Sequence, residues 1–325
     1  MSQDLLLLGD IGGTHARFAL SQGAGLPQAH ILEVADHPTP EAAIAAFLKD
    51  QAPGRPPRRA ALACAGPVEK DAVRLTNSPW RVEAAELKRR FDLEQVILVN
   101  DFGAVAWALP VLPPESLRAV GGGSARRDRP AVVLGPGTGL GVATYLPGPT
   151  SAPGGGGVIV GEGGHGTMPA ADDREAEVLS SLRLRFGHVS AERVISGDGL
   201  VNLYEAIAAL EGLEAPPRSA AEISDAALSD SCRASRAALD MFCGLLGTLA
   251  GNMALAMGAG GGVYIAGGIV PRVVEHFAAS GFRERFEAKG RFRPYLQEIP
   301  TYVILQPQLG LLGLQNLARQ RPASG

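Results

Sequence analysis

Leu5-Leu6-Leu7-Leu8-Gly9-Asp10-Ile11-Gly12-Gly13-Thr14 carries an apolar run straight into glycines, an aspartate and a threonine. A second unit of the same build lies far downstream, where Ala131-Val132-Val133-Leu134 opens onto Gly135-Pro136-Gly137-Thr138-Gly139-Leu140-Gly141. Glycine lets backbone N–H groups approach an anion and adopt positive φ, and threonine adds a hydroxyl donor. Either stretch alone also suits a tight hairpin turn, in the first case between residues 5–8 and 16–20. Two of them on one chain favour two halves that grip the phosphates of one ligand.

Asp10 makes the first loop more specific than a turn. A carboxylate beside bound phosphates is repelled by them unless a divalent cation stands between, so its position implies Mg2+. Commoner nucleotide signatures fail: no G-x-x-x-x-G-K-[ST] occurs, and G-P-G-T-G-L-G at 135–141 does not satisfy G-x-G-x-x-G.

The 325 residues favour two domains, and 46% hydrophobic residues with 19% charged fit a globular α/β protein. A net charge of −3 leaves no footprint for nucleic acid, and Arg126-Arg127-Asp128-Arg129 reads as a solvated loop. Cys64, Cys232 and Cys243 form no C-x-x-C pair, which argues against a disulfide framework or a zinc site and fits a reducing cytoplasm. The first residues lack the build of a signal peptide, and no run approaches ~18 apolar residues free of glycine and charge. A soluble cytoplasmic protein without membrane contact is expected.

Strand-like runs at 5–9, 14–21, 30–35, 59–65 and 95–100 alternate with helical patterns at 40–50 and 102–109. Prolines 110, 113 and 114 and glycines 121–123 then break the pattern, which places a domain boundary near residue 111. The second half restarts with strands at 131–135 and 141–146, a flexible-looking glycine stretch at 154–157, and a strand at 158–161. Helices are expected at 172–186, 191–195, 200–210, 220–228 and 234–257. The strand 263–266 then meets Gly267-Gly268, a third junction of strand and glycine. A short amphipathic helix at 309–318 is expected to return to the first domain.

The side chains suited to chemistry fall in three places. Asn100-Asp101 stands where a strand ends and a helix begins, a position that suits ligand binding in open α/β sheets and equally suits a helix N-cap. Gly161-Glu162-Gly163-Gly164-His165-Gly166 presents a carboxylate and an imidazole among glycines, with nothing local to pack against. Glu192 is expected in the first turn of a helix, where acidic residues stabilise the dipole without any function. There is no nucleophile elbow and no Cys/His motif. Carboxylates, an amide and an imidazole can pair with several hydroxyl groups at once, so a polyol or sugar is the expected partner of the nucleotide.

Residues 9–14, Leu98-Val99-Asn100-Asp101-Phe102, 134–141, 161–165, 192–197 and 266–269 together resemble the bacterial glucokinase family, within the hexokinase, actin and Hsp70 ATP-binding superfamily. The resemblance runs in order from about residue 5 to residue 318. It implies an actin-like ATPase fold: two ribonuclease-H-like α/β domains flanking a deep cleft, a small one of residues 1–111 plus 306–325 and a large one of residues 112–305.

The resemblance also implies phosphorylation of D-glucose at its 6-hydroxyl by ATP, with another hexose such as fructose or mannose as the alternative acceptor. Gly9, Asp10, Ile11, Gly12, Gly13 and Thr14 would hold the ATP phosphates with Gly137, Thr138 and Gly139. Asp10 would act on Mg2+ through water, and Gly267 and Gly268 would pass beside the adenosine. Asn100, Asp101, Glu162, His165 and Glu192 match sugar-binding positions, and Asp101 matches the catalytic base. A homodimer is the family expectation. His15 departs from the Asn usual there, and the loop Asn77-Ser78-Pro79-Trp80 also differs, with Asn77 or Ser78 offering a further contact. The related ROK sugar kinases pair a histidine like His165 with a cysteine-rich zinc motif, and its absence argues for the zinc-free branch.

Overall fold

The computed structural model describes residues 5–23, 25, 27–52, 54–148 and 156–321. Of the glycine stretch expected at 154–157, residues 154 and 155 lie outside that set. The chain packs as two α/β units, one of Met1–Leu112, Gly148–Val160 and Gln306–Gly325, the other of Pro113–Pro147 and Gly161–Leu305.

The first unit is built on β1 (Leu6–Ile11), β2 (His15–Ser21), β3 (His30–Glu33), β4 (Arg59–Cys64) and β8 (Gln95–Asn100), in the order β3-β2-β1-β4-β8. Strands β1 and β2 form an antiparallel hairpin, whereas β4 and β8 run parallel to β1. A parallel neighbour needs a crossover. The one from β2 and β3 to β4 uses α1 (Pro40–Gln51), started by Thr39, whose hydroxyl accepts the Ala42 N–H at 3.2 Å, and by Pro40 in its first turn. Its Pro40, Ala43, Ile44 and Phe47 recur at helical spacing and are buried. Between β4 and β8 lie a small antiparallel sheet, β5 (Val68–Glu69), β6 (Ala72–Arg74) and β7 (Arg81–Glu83), and helix α2 (Ala84–Phe91). These strands are two or three residues long, with Val73 and Val82 buried and half of their residues exposed, too short for a period-2 pattern, and the sequence reading passed over them. Helix α3 (Asp101–Ala108) follows β8 directly.

The second unit repeats that plan. Strands β9 (Leu117–Ala119), β10 (Ala131–Pro136), β11 (Leu140–Pro147), β13 (Val263–Ile265) and β14 (Thr301–Ile304) form a sheet in the order β11-β10-β13-β14-β9, while β12 (Gly156–Gly161) falls, but for its last residue, in the first unit's segment Gly148–Val160. Again the first pair, β10 and β11, is an antiparallel hairpin, and β13 and β14 run parallel to β10. Its helices are α4 (Asp173–Phe186), α5 (Gly197–Glu211), α6 (Ala220–Leu228), α7 (Arg233–Met257), α8 (Val274–Ala279), α9 (Phe282–Glu287) and α10 (Arg293–Gln297). Helix α7 is long and apolar enough to cross a membrane, yet 78% of its apolar window is buried in the protein. Gly247 and Gly251 stand one turn apart on α7, and a Cβ at Gly251 would sit 2.5 Å from the Phe286 carbonyl oxygen, so α9 packs directly on the backbone of α7. The three cysteines are free, and Cys64 is wholly buried in β4, where burial pushes its thiol far up.

One expected helix is absent. Residues 191–195 form a turn, and the helix begins at Gly197, three residues before the start read from the sequence. Ser196 explains the boundary: its hydroxyl caps α5 by accepting the Gly199 N–H at 2.9 Å.

Helix α11 (Leu309–Gln320) packs on α3, β1 and β4 within the first unit. Gly313 makes this possible, because the Ala104 carbonyl occupies the place a Cβ would take. Asn316 donates to the Trp107 carbonyl at 2.9 Å and Gln315 to the Ser21 hydroxyl at 2.7 Å, so the side-chain amide nitrogens of these two buried residues are bonded.

Candidate active site

Both glycine loops are hairpin turns, joining β1 to β2 and β10 to β11. In the first unit Gly9 and Asp10 are still in β1, and the turn is closed by the Gly12 N–H donating to the His15 carbonyl at 3.0 Å. Gly13 is held from outside, since a Cβ there would stand 2.9 Å from Asn77 Cβ. Thr14 is exposed. The loop that differs from the family's usual sequence is thus packed against the first glycine turn through Asn77, while the Ser78 hydroxyl accepts the Trp80 N–H at 3.2 Å. His15 pairs with Glu33 at 3.1 Å.

Asp10 sits at the C-terminal end of β1 with Arg17 Nη1 at 4.0 Å. Desolvation pushes its carboxyl up to about 6; Arg17 acts against that shift, and the negative charge of Asp101 adds to it. A carboxylate whose proton affinity is raised by burial and by a second carboxylate is what a cation would relieve. No cluster of three or more His, Cys, Asp or Glu suited to a metal occurs among the described residues. A carboxylate at Asp10 is the kind of donor by which Mg2+ is commonly held, with phosphates and water completing its shell.

Asn100 is the N-cap of α3: its carboxamide oxygen accepts the N–H groups of Phe102 at 2.9 Å and Gly103 at 3.1 Å. Its Nδ2 donates to the Gly66 carbonyl at 3.2 Å, leaving a second amide hydrogen on that nitrogen. Asp101 is the first residue of the helix. Its Oδ1 accepts the Phe102 N–H at 2.9 Å.

In the second unit three sequence-distant pieces meet. The turn at 137–139 closes through the Gly137 N–H and the Gly139 carbonyl at 2.8 Å. Gly267 packs on Pro136 so closely that no Cβ fits, and its φ of +87° also requires glycine. Added Cβ atoms at Gly137 and Gly268 would meet nothing within 4 Å. The second and third junctions of strand and glycine therefore lie side by side with open space before them.

Glu162 precedes a single 3-10 turn, Gly163–His165, that ends in His165; both side chains are exposed, with His165 Nε2 3.8 Å from Glu162 Oε2. The Glu192 N–H donates to the Gly164 carbonyl at 2.9 Å, and the Ala191 N–H to the Gly166 carbonyl at 2.9 Å. Two backbone bonds thus bring Glu192 beside the Glu162–His165 turn. Its side chain does not serve a helix dipole: Glu192 Oε2 accepts the backbone N–H of Leu140 at 2.9 Å. Sequence reasoning did not find Leu140, since a main-chain donor carries no residue signature. A depression of about 960 Å³ elsewhere in this unit is lined by none of these residues, and its Arg285 is already paired with Glu175 at 2.7 Å.

The family model described as Glucokinase matches residues 7–321. A glucokinase of Paramagnetospirillum magneticum is 49% identical over 98% of this chain and 98% of its own. One of Nitrobacter hamburgensis is 43% identical over 96% of this chain and 97% of its own. Among solved structures, a glucokinase from an Antarctic psychrotroph matches with a TM-score of 0.88 at 37% identity, covering 96% of this chain and 98% of that one. A ROK family glucokinase from Streptomyces griseus, in complex with glucose and AMPPNP, shares the fold at a TM-score of 0.64 and 21% identity, over 97% of this chain and 99% of that one.

Proposed function

Because this chain belongs to the glucokinase family and phosphorylates glucose with ATP, we propose that it acts on the 6-hydroxyl with Asp101 as the general base. The observation that carries this is the pairing of Asp10 and Asp101 in the first unit, with each carboxylate at the end of a parallel strand and within the other's field. One of them attends the phosphates and the other the attacking hydroxyl.

Asp101 takes the proton of the sugar hydroxyl as the oxygen attacks the γ-phosphorus, and Asn100, by capping α3, holds it in place. Glu162, His165 and Glu192 accept or donate to the remaining hydroxyls, and Asn100 adds its second amide hydrogen. A sugar lacking one of these hydroxyls leaves a protein group unpaired, which is how such a site discriminates. Gly9, Ile11, Gly12, Gly13 and Thr14, with Gly137, Thr138 and Gly139, line the phosphate site, where the hydroxyls of Thr14 and Thr138 donate, and Gly267 and Gly268 pass beside the adenosine. When bound through Asp10 and water, Mg2+ neutralises charge on the transferring phosphoryl group.

In this proposal the chain forms two ribonuclease-H-like domains, a small one of residues 1–111 and 306–325 and a large one of 112–305, bounds that differ from those of the packed units at Leu112 and Gly148–Val160. They close a cleft over the sugar and exclude the water that competes as acceptor. The working form is a cytoplasmic homodimer, which light scattering of the purified protein tests directly. Coupled detection of glucose 6-phosphate from ATP and glucose, with fructose and mannose as comparators, tests the reaction. Failure to form glucose 6-phosphate overturns it.

A further inference from the structure

Glu192 joins two jobs that the family reading keeps apart. Its Oε2 accepts the Leu140 N–H at 2.9 Å, and Leu140 is the first residue after the glycine turn at 137–139. The same oxygen fills the space beside the turn, since a Cβ on Gly139 would stand 2.6 Å from it. From the other side, the Leu140 carbonyl presses on Gly164 so closely that only glycine fits, and Gly164 in turn accepts the Glu192 N–H at 2.9 Å. Leu140 is therefore clamped between the carboxylate of Glu192 and the turn that bears Glu162 and His165. The Gly137 carbonyl is tied as well, accepting the Gly197 N–H at 2.8 Å at the start of α5.

We infer that Glu192 is a positioning residue for the phosphate loop at 137–139 as well as a sugar ligand, and that it couples sugar occupancy to nucleotide affinity. This rests on the proposed assignment of that loop to phosphates and of Glu192 to the sugar. The chemistry is plain: a carboxylate has two oxygens, so Oε2 can hold the Leu140 N–H while Oε1 meets a sugar hydroxyl. A charge-assisted bond of this kind exceeds a neutral one in strength and direction, so it fixes the loop's backbone N–H groups where an anion needs them. A sugar that orders Glu192 orders the loop with it, and by linkage a nucleotide that orders the loop tightens the hold on the sugar.

Titration calorimetry of the sugar-free protein with AMPPNP and Mg2+ tests this. Glu192→Ala is expected to weaken AMPPNP about tenfold, as the loop loses its anchor. Glu192→Gln is expected to weaken AMPPNP less than Glu192→Ala does, because its neutral amide oxygen still accepts the Leu140 N–H though without the charge, while glucose affinity falls. Gly139→Ala displaces the carboxylate and is expected to weaken glucose about fivefold or more, although residue 139 belongs to the phosphate loop. Circular dichroism confirms that each variant is folded. Parent-like AMPPNP affinity in Glu192→Ala, or parent-like glucose affinity in Gly139→Ala, overturns the coupling. Thr138→Ala separates the premises: parent-like AMPPNP affinity there removes the loop from the nucleotide site and the inference falls with it, whereas a loss confirms the loop and leaves the Glu192 variants to decide.

Discussion

Gly310, in the first turn of α11, packs against Asp10: a Cβ at that position would stand 3.1 Å from Asp10 Oδ2. The last helix of the chain thus covers the carboxylate at the end of the first strand, and the burial it contributes to is the leading cause of Asp10's raised proton affinity.

That shift, from 3.8 to about 6, has a stability consequence whose sign is definite. Between those two values the folded chain holds a proton that the unfolded chain has released, so stability falls as pH rises through that window and stays lowered above it. Asp10→Asn should therefore raise the thermal midpoint of the metal-free protein at about pH 7.5, by on the order of 1–3 kcal/mol of stability, with the gain shrinking towards about pH 4. The same variant should lose its response to Mg2+ with ATP. Scanning calorimetry across pH checks both; a lowered midpoint at neutral pH would contradict the burial of an unfavourable charge.

Asp101→Asn should still bind glucose, since an amide replaces the carboxylate at the same place, and should phosphorylate it about 10²–10⁴-fold more slowly. Steady-state kinetics beside glucose titration separates the two effects. Near-normal turnover would sink the assignment of Asp101 as base.

Gly313→Val should destabilise the first unit by about 1–3 kcal/mol or more, because the new side chain has to displace the Ala104 carbonyl where α11 crosses α3. Denaturant unfolding of the full chain measures it. A fully tolerated valine would mean that the two helices can separate without cost.

Glucose should make the protein more compact if the two units close upon it. Small-angle scattering with and without the sugar reads this as a fall in the radius of gyration, and an unchanged radius would count against closure.

The strands of both hairpins were legible because their residues alternate or run apolar up to a glycine, and that pattern is local. Helices α1 and α4 were legible because the apolar period and a capping residue agree, as with Thr39 and Asp172. The helix expected at 191–195 failed for the opposite reason. Its composition suits a helix, but the cap comes only after it, where the Ser196 hydroxyl accepts the Gly199 N–H to start α5, and Ala191 and Glu192 donate instead to the Gly166 and Gly164 carbonyls. Strands β5 to β7 gave no signal because two or three half-exposed residues carry no period.

By itself the chain's sequence determined where glycine must stand, which residues can bear charge beside a phosphate or a hydroxyl, and through its collinear motifs the family. All of these are properties of residue type and local spacing. Only the tertiary structure decided that Asp10 feels Asp101, that Gly267 leans on Pro136, and that Glu192 holds the N–H of Leu140 instead of a helix dipole. Those relationships depend on burial and on backbone groups that every residue carries alike, so no residue type announces them.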